Sequence, residues 1–196
     1  MITKRKTKIN SKKKLKKFLR DKILRMMKTQ KEDLRLEKSR KIQAKLFRLG
    51  VFKKAKAILF YISFGGEVET LSMIKKALKK GKKIAVPVCD KKRKVLTPCS
   101  LTEPDTQLAG GAYCIPEPVH KELFNTGDID LVVVPAVVFD ESGNRLGRGL
   151  GYYDKFLKNL PDRICRIGLA FDFQIVKSLE DLIEPQDIPV HKVIFA

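Results

Sequence analysis

Proline does not occur before Pro87, and carboxylates are scarce in the first 50 residues, where four of them face 20 lysines and arginines. Without proline, long uninterrupted helices are free to form in that part of the chain. Long apolar runs are missing as well: nothing approaches the ~18 consecutive apolar residues of a membrane-spanning helix, which excludes a helical membrane protein. The first 20 residues scatter their apolar positions among ten Lys and Arg, so they lack the apolar core of a secretory signal. Cysteine is sparse. Cys89, Cys99, Cys114 and Cys165 form no C-x-x-C pair, and neither His120 nor His191 stands at zinc-ligand spacing from them. The cysteines read as reduced, semi-buried side chains of a cytoplasmic protein.

What remains is a globular composition, 43% hydrophobic and 33% charged over 196 residues, enough for one domain with a substantial core. The formal charge of +20 is uneven: residues 51–196 carry 22 basic against 18 acidic side chains, so the basicity sits in the first 50. That distribution argues against a surface built throughout to coat nucleic acid. Three readings of the basic segment stay open: a nucleic-acid tail, a solvated lysine-rich helix face and a local phosphate site.

Leu15, Phe18, Leu19, Ile23, Met26 and Met27 fall at helical spacing, with Lys16 and Arg20 one turn apart beside the stripe. The Lys-rich opening through Lys14 reads as a frayed extension, leaving residues 15–196 as a single domain. A second helical pattern runs from Ser39 to a stop at Gly50. Residues 57–62 read as a strand, 70–80 as a helix ended by Gly81, and 84–88 as the next strand, a β-α-β unit. Turn-rich residues 89–130 suggest short antiparallel strands. Residues 131–139 read as one central strand buried on both faces, 164–171 and 190–195 as two more, with a short helix over 174–182 between them. The alternation predicts an α/β fold, a Rossmann-like three-layer α/β/α sandwich with a mostly parallel sheet. Ligands gather at the carboxyl ends of such strands, which puts residues 63–69 and 140–154 on one rim.

The segment Asn144-Arg-Leu-Gly-Arg-Gly-Leu-Gly-Tyr-Tyr-Asp154 is the most specific feature. Gly147, Gly149 and Gly151 clear side chains from a strand-to-helix loop, so backbone N–H groups can approach an anion, and Arg145 and Arg148 add charge. The loop is neither a P-loop nor a dinucleotide fingerprint, since it lacks Gly-Lys-Ser/Thr and has Tyr152 in place of the last glycine. A glycine-rich turn with solvated arginines is the plainer alternative. Tyr152 and Tyr153 suit either a wall for a flat heterocycle or helix-core packing. Asp154 suits either Mg²⁺ bridged to phosphates or an acid at a helix start, and Asp187, in a loop before the last strand, suits a second ligand or a turn.

Phe139-Asp140 and Gly143-x-Arg145-Leu-Gly-Arg-Gly-x-Gly-Tyr-Tyr-Asp154 resemble the signature of the 5-formyltetrahydrofolate cyclo-ligases, also called 5,10-methenyltetrahydrofolate synthetases. Lys16-x-x-Leu-Arg20, Ser39, Tyr61 through Glu67-Val-Glu-Thr70, Ile115-Pro-Glu-Pro118, Gly168-Leu-Ala-Phe171 with Gln174, and Asp187 follow in the family's order over residues 15–196. The resemblance implies an enzyme that uses ATP and Mg²⁺ to turn 5-formyltetrahydrofolate into 5,10-methenyltetrahydrofolate with release of ADP and phosphate. It implies an ATP-binding set of Lys16, Arg20, Arg145, Leu146, Gly147, Arg148, Gly149, Leu150, Gly151, Tyr152 and Tyr153. Ile62, Glu67 and Tyr152 match the folate positions, Asp154 and Asp187 the Mg²⁺ positions, and Arg145, Arg148 and Tyr152 are those expected nearest the chemistry. The expected partner is a reduced folate, with or without a polyglutamate tail, bound by a monomer that engages neither membrane nor nucleic acid. A basic nucleic-acid-binding protein using residues 1–50 is the alternative from another class. Phe18, as the one aromatic between Met1 and Lys45, gives it few stacking groups. A sugar-phosphate or CoA-ester enzyme would explain the glycine-arginine loop but not Glu67 and Asp187.

Overall fold

The structure, a computed structural model, describes the backbone of residues 2–196 and side chains from Ser11 onward. Its helices are α1 (Ile2–Thr29), α2 (Glu32–Arg48), α3 (Gly50–Lys54), α4 (Leu71–Lys79), α5 (Pro104–Gln107) and α6 (Tyr152–Lys158). Its strands are β1 (Ala57–Leu59), β2 (Lys83–Asp90), β3 (Val95–Ser100), β4 (Leu108–Gly110), β5 (Pro116–Pro118), β6 (Leu131–Val134), β7 (Val138–Asp140), β8 (Arg145–Leu146), β9 (Cys165–Ala170), β10 (Ile175–Val176) and β11 (Lys192–Phe195).

Six strands form the central sheet in the order β11-β9-β6-β1-β2-β3, parallel except for the β2–β3 hairpin at one edge. Side chains alternate across it, as strand geometry requires. Ile58, Ile84, Val86, Leu131, Val133 and Ile167 pack on one face with Ile42 and Leu46 of α2, Phe52 of α3 and Met73, Ile74 and Ala77 of α4. Leu59, Ala85, Val132 and Val134 pack on the other with Tyr152, Phe156 and Leu157 of α6. Helices thus cover both faces, the three-layer arrangement expected from the alternation. A small sheet, β10-β7-β8, packs Val138 and Leu146 against Ile23 and Met27 of α1. No helix among the described residues is long and apolar enough to cross a membrane.

Several expectations change. The apolar spacing starts a helix at Leu15, but α1 begins at Ile2, so the basic opening is helical rather than frayed. Gly50 does not end a helix in the left-handed conformation; extended Leu49 separates α2 from α3, and Gly50 opens α3. Residues 131–139 are two strands in two sheets, because Pro135 has no N–H for the ladder and the chain leaves the central sheet there. Residues 174–182 form no α-helix: a single 3-10 turn, Asp172–Gln174, and strand β10 replace it, and Gln174 is buried, its amide donating to the carbonyls of Ala136 and Val137. The cysteines are unpaired as expected, although Cys114 is exposed.

Strand order reverses between β1 and β6. β1 leads through α4 to β2 on one side, while β6, β9 and β11 extend the other. The crevice at that switch point is where a doubly wound sheet offers its ligand site.

Candidate active site

A cavity of about 750 Å³ opens at this crevice. Lys16, Arg20, Ile62, Glu67, Asp154, Asp187 and every residue from Arg145 to Tyr153 line it, so residues scattered over 172 positions of sequence meet at one site. Phe64, Pro87, Cys89, Leu96, Tyr113, Ile115, Glu117 and Glu184 line it too, and sequence reasoning gave them no part. Most come from β2, β3 and the β4–β5 hairpin, elements brought to the cavity by tertiary packing that no local pattern announces. Phe64, inside the segment from Tyr61 to Thr70, and Ile115-Pro-Glu-Pro118 carried a signal only as parts of longer patterns.

One wall is the turn after β1. Thr70 Oγ1 donates to the Tyr61 carbonyl at 2.6 Å and accepts from the Ser63 N–H at 3.1 Å, closing residues 61–70 on themselves. Two helices fasten it from outside: Gln30 donates to the Gly66 carbonyl at 2.8 Å and Arg35 to the Glu67 carbonyl at 3.1 Å. Gly66, at φ +84°, lies so near α1 that a Cβ would stand 2.2 Å from the Met27 carbonyl oxygen. This frame holds Glu67, 6% exposed, at the cavity. Burial pushes its carboxyl up to about 7, against the pull of Arg148, which donates to Oε1 at 3.1 Å, and of the Phe64 N–H, which donates to Oε2 at 3.2 Å.

The opposite wall is the glycine loop. Asp140, 1% exposed, builds its base by accepting the N–H groups of Ser142, Asn144 and Leu179 and the Asn144 side-chain amide. Beyond β8 the chain is held more lightly: Arg20 Nε donates to the Gly147 carbonyl at 2.8 Å, and among the described residues no hydrogen bond takes up the N–H groups of residues 147–150. Gly149 at φ +94° and Gly151 at φ +70° occupy the left-handed region that favours glycine. Unclaimed N–H groups flanked by Lys16, Arg20 and Arg148 form an anion-binding concavity.

Arg145 lines the cavity and also supports a neighbouring carboxylate. It is 5% exposed; Nε donates to the Ile188 carbonyl at 3.0 Å and Nη2 to Asp154 Oδ1 at 2.5 Å, so its guanidinium fixes a carboxylate at the edge of the cavity. Tyr153 both lines the cavity and packs in the core. Its ring packs against both faces' cores, and its hydroxyl is buried without a partner among the described residues. Burial, with Glu67 and Cys89 nearby, pushes that phenol well above its usual range. Tyr152 shares a 2.9 Å hydroxyl–hydroxyl hydrogen bond with Tyr113, which pushes its phenol up to about 12.

Asp154 and Asp187 share the cavity rim with Glu184. Lys16 Nζ lies 3.6 Å from Glu184 and 3.7 Å from Asp187, and Asp187 also accepts the Glu184 N–H at 2.8 Å. Asp154 Oδ1 takes Arg145 and the Ile188 N–H, and Asp154 lines the cavity. The donors are carboxylate oxygens with no imidazole or thiolate beside them; among the described residues no cluster of three or more His, Cys, Asp or Glu suits a metal. Such a set fits a hard cation that takes its remaining ligands from phosphate and water, as Mg²⁺ does.

The chain is similar to known proteins over most of its length. The model of the 5-formyltetrahydrofolate cyclo-ligase family matches residues 9–196. The mouse 5-formyltetrahydrofolate cyclo-ligase is 29% identical over 190 residues, 92% of this chain and 93% of the mouse protein. The Haemophilus influenzae 5-formyltetrahydrofolate cyclo-ligase is 31% identical over 145 residues, 72% and 76% of the two chains. The solution structure of Aquifex aeolicus 5,10-methenyltetrahydrofolate synthetase superposes with a TM-score of 0.79 at 34% identity, covering 92% of this chain and 89% of that one.

Proposed function

The chain belongs to the 5-formyltetrahydrofolate cyclo-ligase family, and from that premise we propose that it converts 5-formyltetrahydrofolate and ATP into 5,10-methenyltetrahydrofolate, ADP and phosphate. The observation that carries the reading is the pairing, across one cavity, of a buried carboxylate on a fixed wall with a cationic loop of unclaimed N–H groups on the other. A reduced pteridine offers N–H donors to the first; a triphosphate offers oxygens to the second.

In this reading the N–H groups of residues 147–150, with Lys16, Arg20 and Arg148, bind the triphosphate. Ile62, Glu67 and Tyr152 bind the pteridine, and the buried Tyr153 hydroxyl finds its missing partner on the same ligand, since leaving it unsatisfied costs about 1–3 kcal/mol. Asp154 and Asp187 would hold Mg²⁺, which when bound supplies charge neutralisation across the phosphates. Arg145 is a positioning residue for Asp154. The formyl oxygen of the folate attacks the γ-phosphorus while the bond to the β–γ bridging oxygen breaks, and ADP leaves. N10 then attacks the activated carbon, loses its proton, and phosphate departs with the formyl oxygen. No step needs a nucleophilic side chain; the described lining has no histidine, and burial pushes the thiol of its one cysteine, Cys89, up to about 11, while Pro87, Leu96 and Ile115 keep water from the activated carbon.

The protein acts in this reading as a cytoplasmic monomer on a reduced folate. The nucleic-acid alternative loses ground because Lys16 and Arg20 face the cavity and not an outer binding surface. Mixing the purified chain with 5-formyltetrahydrofolate, ATP and Mg²⁺ should raise the absorbance of the methenyl product, and omitting any one of the three should abolish the rise. A flat trace with all three present overturns the reading.

A further inference from the structure

Arg148 stands in the middle of the glycine loop, yet its guanidinium is turned to the other wall. Nη2 donates to Glu67 Oε1 at 3.1 Å, and Cζ lies 4.1 Å from the centroid of the Phe64 ring. Gly65 makes room for it: a Cβ there would stand 3.2 Å from Nη2. The two ends of this bridge differ in freedom. Glu67 is buried, and its second oxygen is held by the Phe64 N–H, whereas the Arg148 side chain is 34% exposed and lies between Gly147 and Gly149. Arg148 is therefore the less constrained end of the bridge and Glu67 the fixed one. Arg35 donates to the Glu67 carbonyl and leaves its carboxylate alone, so Arg148 is the cation paired with that group.

Each substrate assigned above needs one half of the bridge, the phosphates Arg148 and the pteridine Glu67; the inference rests on that assignment. We propose that Phe64 is a positioning residue that parks Arg148 against Glu67, so that nucleotide and folate share one latch and each, by opening it, favours the other. Whichever ligand binds first bears the cost of breaking the ion pair and the ring contact; the second meets a latch already open. Linkage then requires equal reciprocal gains in affinity.

The test uses the full chain, the non-hydrolysable analogue AMP-PNP with Mg²⁺, and 5-formyltetrahydrofolate, each titrated alone and with the other saturating. For the wild type we expect each ligand to bind about tenfold tighter in the presence of the other. Phe64→Leu removes the ring face while keeping an apolar side chain. It should tighten each ligand alone by about threefold, within the worth of a cation–π contact, and lower the mutual gain by the same factor; Phe64→Tyr should restore wild-type values. A side chain with a merely structural role would weaken binding when shortened. Arg148→Lys, which loses the planar fork, should also lower the mutual gain, and it serves if Phe64→Leu does not fold. Independent binding of the two ligands to the wild type overturns the latch, as does a mutual gain unchanged in folded Phe64→Leu. A wild type that binds neither ligand overturns instead the proposed function on which the latch rests.

Discussion

Between Tyr61 and Thr70 the chain is tied to itself through Ser63, Thr70 and Glu67, to α1 through Gln30 and to α2 through Arg35 and Ser39. Between Gly147 and Leu150 two side chains supply the ties, Arg20 to the Gly147 carbonyl and Arg148 to Glu67. The first wall is a fixed surface against which a rigid heterocycle can be matched. The second is an adjustable one, suited to a flexible triphosphate, with N–H groups that no described protein group claims and that an arriving anion can take from solvent. One site therefore contains a wall whose stability is supplied by the fold and a wall whose order depends on ligand.

Adding a methyl group to a glycine of each wall should expose this contrast most strongly. In Gly66→Ala the new Cβ would stand 2.2 Å from the Met27 carbonyl oxygen at φ +84°, so α1 or the turn must move. Overpacking of about 1–3 kcal/mol and left-handed strain of about 1–2 kcal/mol together lower stability by about 3 kcal/mol. In Gly149→Ala the nearest atom is Arg20 Cζ at 3.7 Å, leaving only the strain of φ +94°, about 1 kcal/mol. Denaturant melts of both variants measure the difference; equal losses would erase the distinction between the walls.

Asp154→Asn tests the adjustable wall chemically. It keeps shape and removes the charge that Arg145 holds in place, so folding should survive while cyclisation falls about a hundredfold, near 2.7 kcal/mol in barrier. The loss should come with a raised Mg²⁺ requirement. Full activity of the variant in limiting Mg²⁺ would remove Asp154 from the metal site.

Glu67→Gln is the corresponding test on the fixed wall. Losing a charge-assisted hydrogen bond should weaken 5-formyltetrahydrofolate by about 1.5–3 kcal/mol, while AMP-PNP alone, with Arg148 released from its carboxylate partner, should bind no more weakly than to the wild type; the reverse pattern would mean the substrates lie on opposite walls from those assigned. The same residue sets a pH dependence. Its folded-state carboxyl titrates near 7 against 4.5 for the model group, so the native protein holds a proton that the unfolded chain releases. Its contribution to stability is thus largest below 4.5, declines as pH rises through that window by about 3 kcal/mol in all, and is level above 7. The neighbouring Tyr61 and Tyr153 phenols are pushed upward and stay neutral throughout. Folate affinity should climb over the same range as the accepting carboxylate forms, and both slopes should vanish in Glu67→Gln.

The two walls also differ in how far the sequence disclosed them. The glycine loop was legible because its chemistry is local: alternating glycines and arginines between a strand and a helix dictate the backbone and the charge together. Glu67 emerged only through family resemblance, since a carboxylate in a turn becomes unusual only when tertiary packing buries it. Pro87, Leu96 and Tyr113 left no local trace, because β2, β3 and the β4–β5 hairpin carry part of the lining across the switch point. Tyr113, at φ +58°, is a conformation no residue-type preference announces. The division of residues 131–139 into two strands was signalled by Pro135, whose missing N–H outweighs an unbroken apolar run. Arg145 shows what residue type alone leaves out: the sequence pointed to a ligand contact, and only the fold adds its support of Asp154 at the cavity edge.

The smallest effect is expected where charge is densest. Deleting residues 2–14 removes seven basic side chains and no acidic one. α1 would still present Arg20 to the Gly147 carbonyl, Lys16 to Glu184 and Asp187, and Ile23 and Met27 to the small sheet. Among the described residues, these contacts of α1 with the two walls all lie after the cut. The adjustable wall should keep its tie, and kcat and KM for ATP should stay within about twofold, the scale of surface changes of up to about 0.5 kcal/mol. If the segment instead served a polyanion, loss of several phosphate contacts would lower affinity steeply and flatten its salt dependence. Lys16→Ala with Arg20→Ala makes the opposite cut, sparing the bulk of the charge and removing the pair at the cavity. It should raise KM for ATP more than tenfold, since each charge-assisted contact contributes about 1.5–3 kcal/mol. A truncated, folded chain without activity, or a double variant with unchanged KM, would show that α1 acts through its total charge and not through the two side chains it brings to the wall.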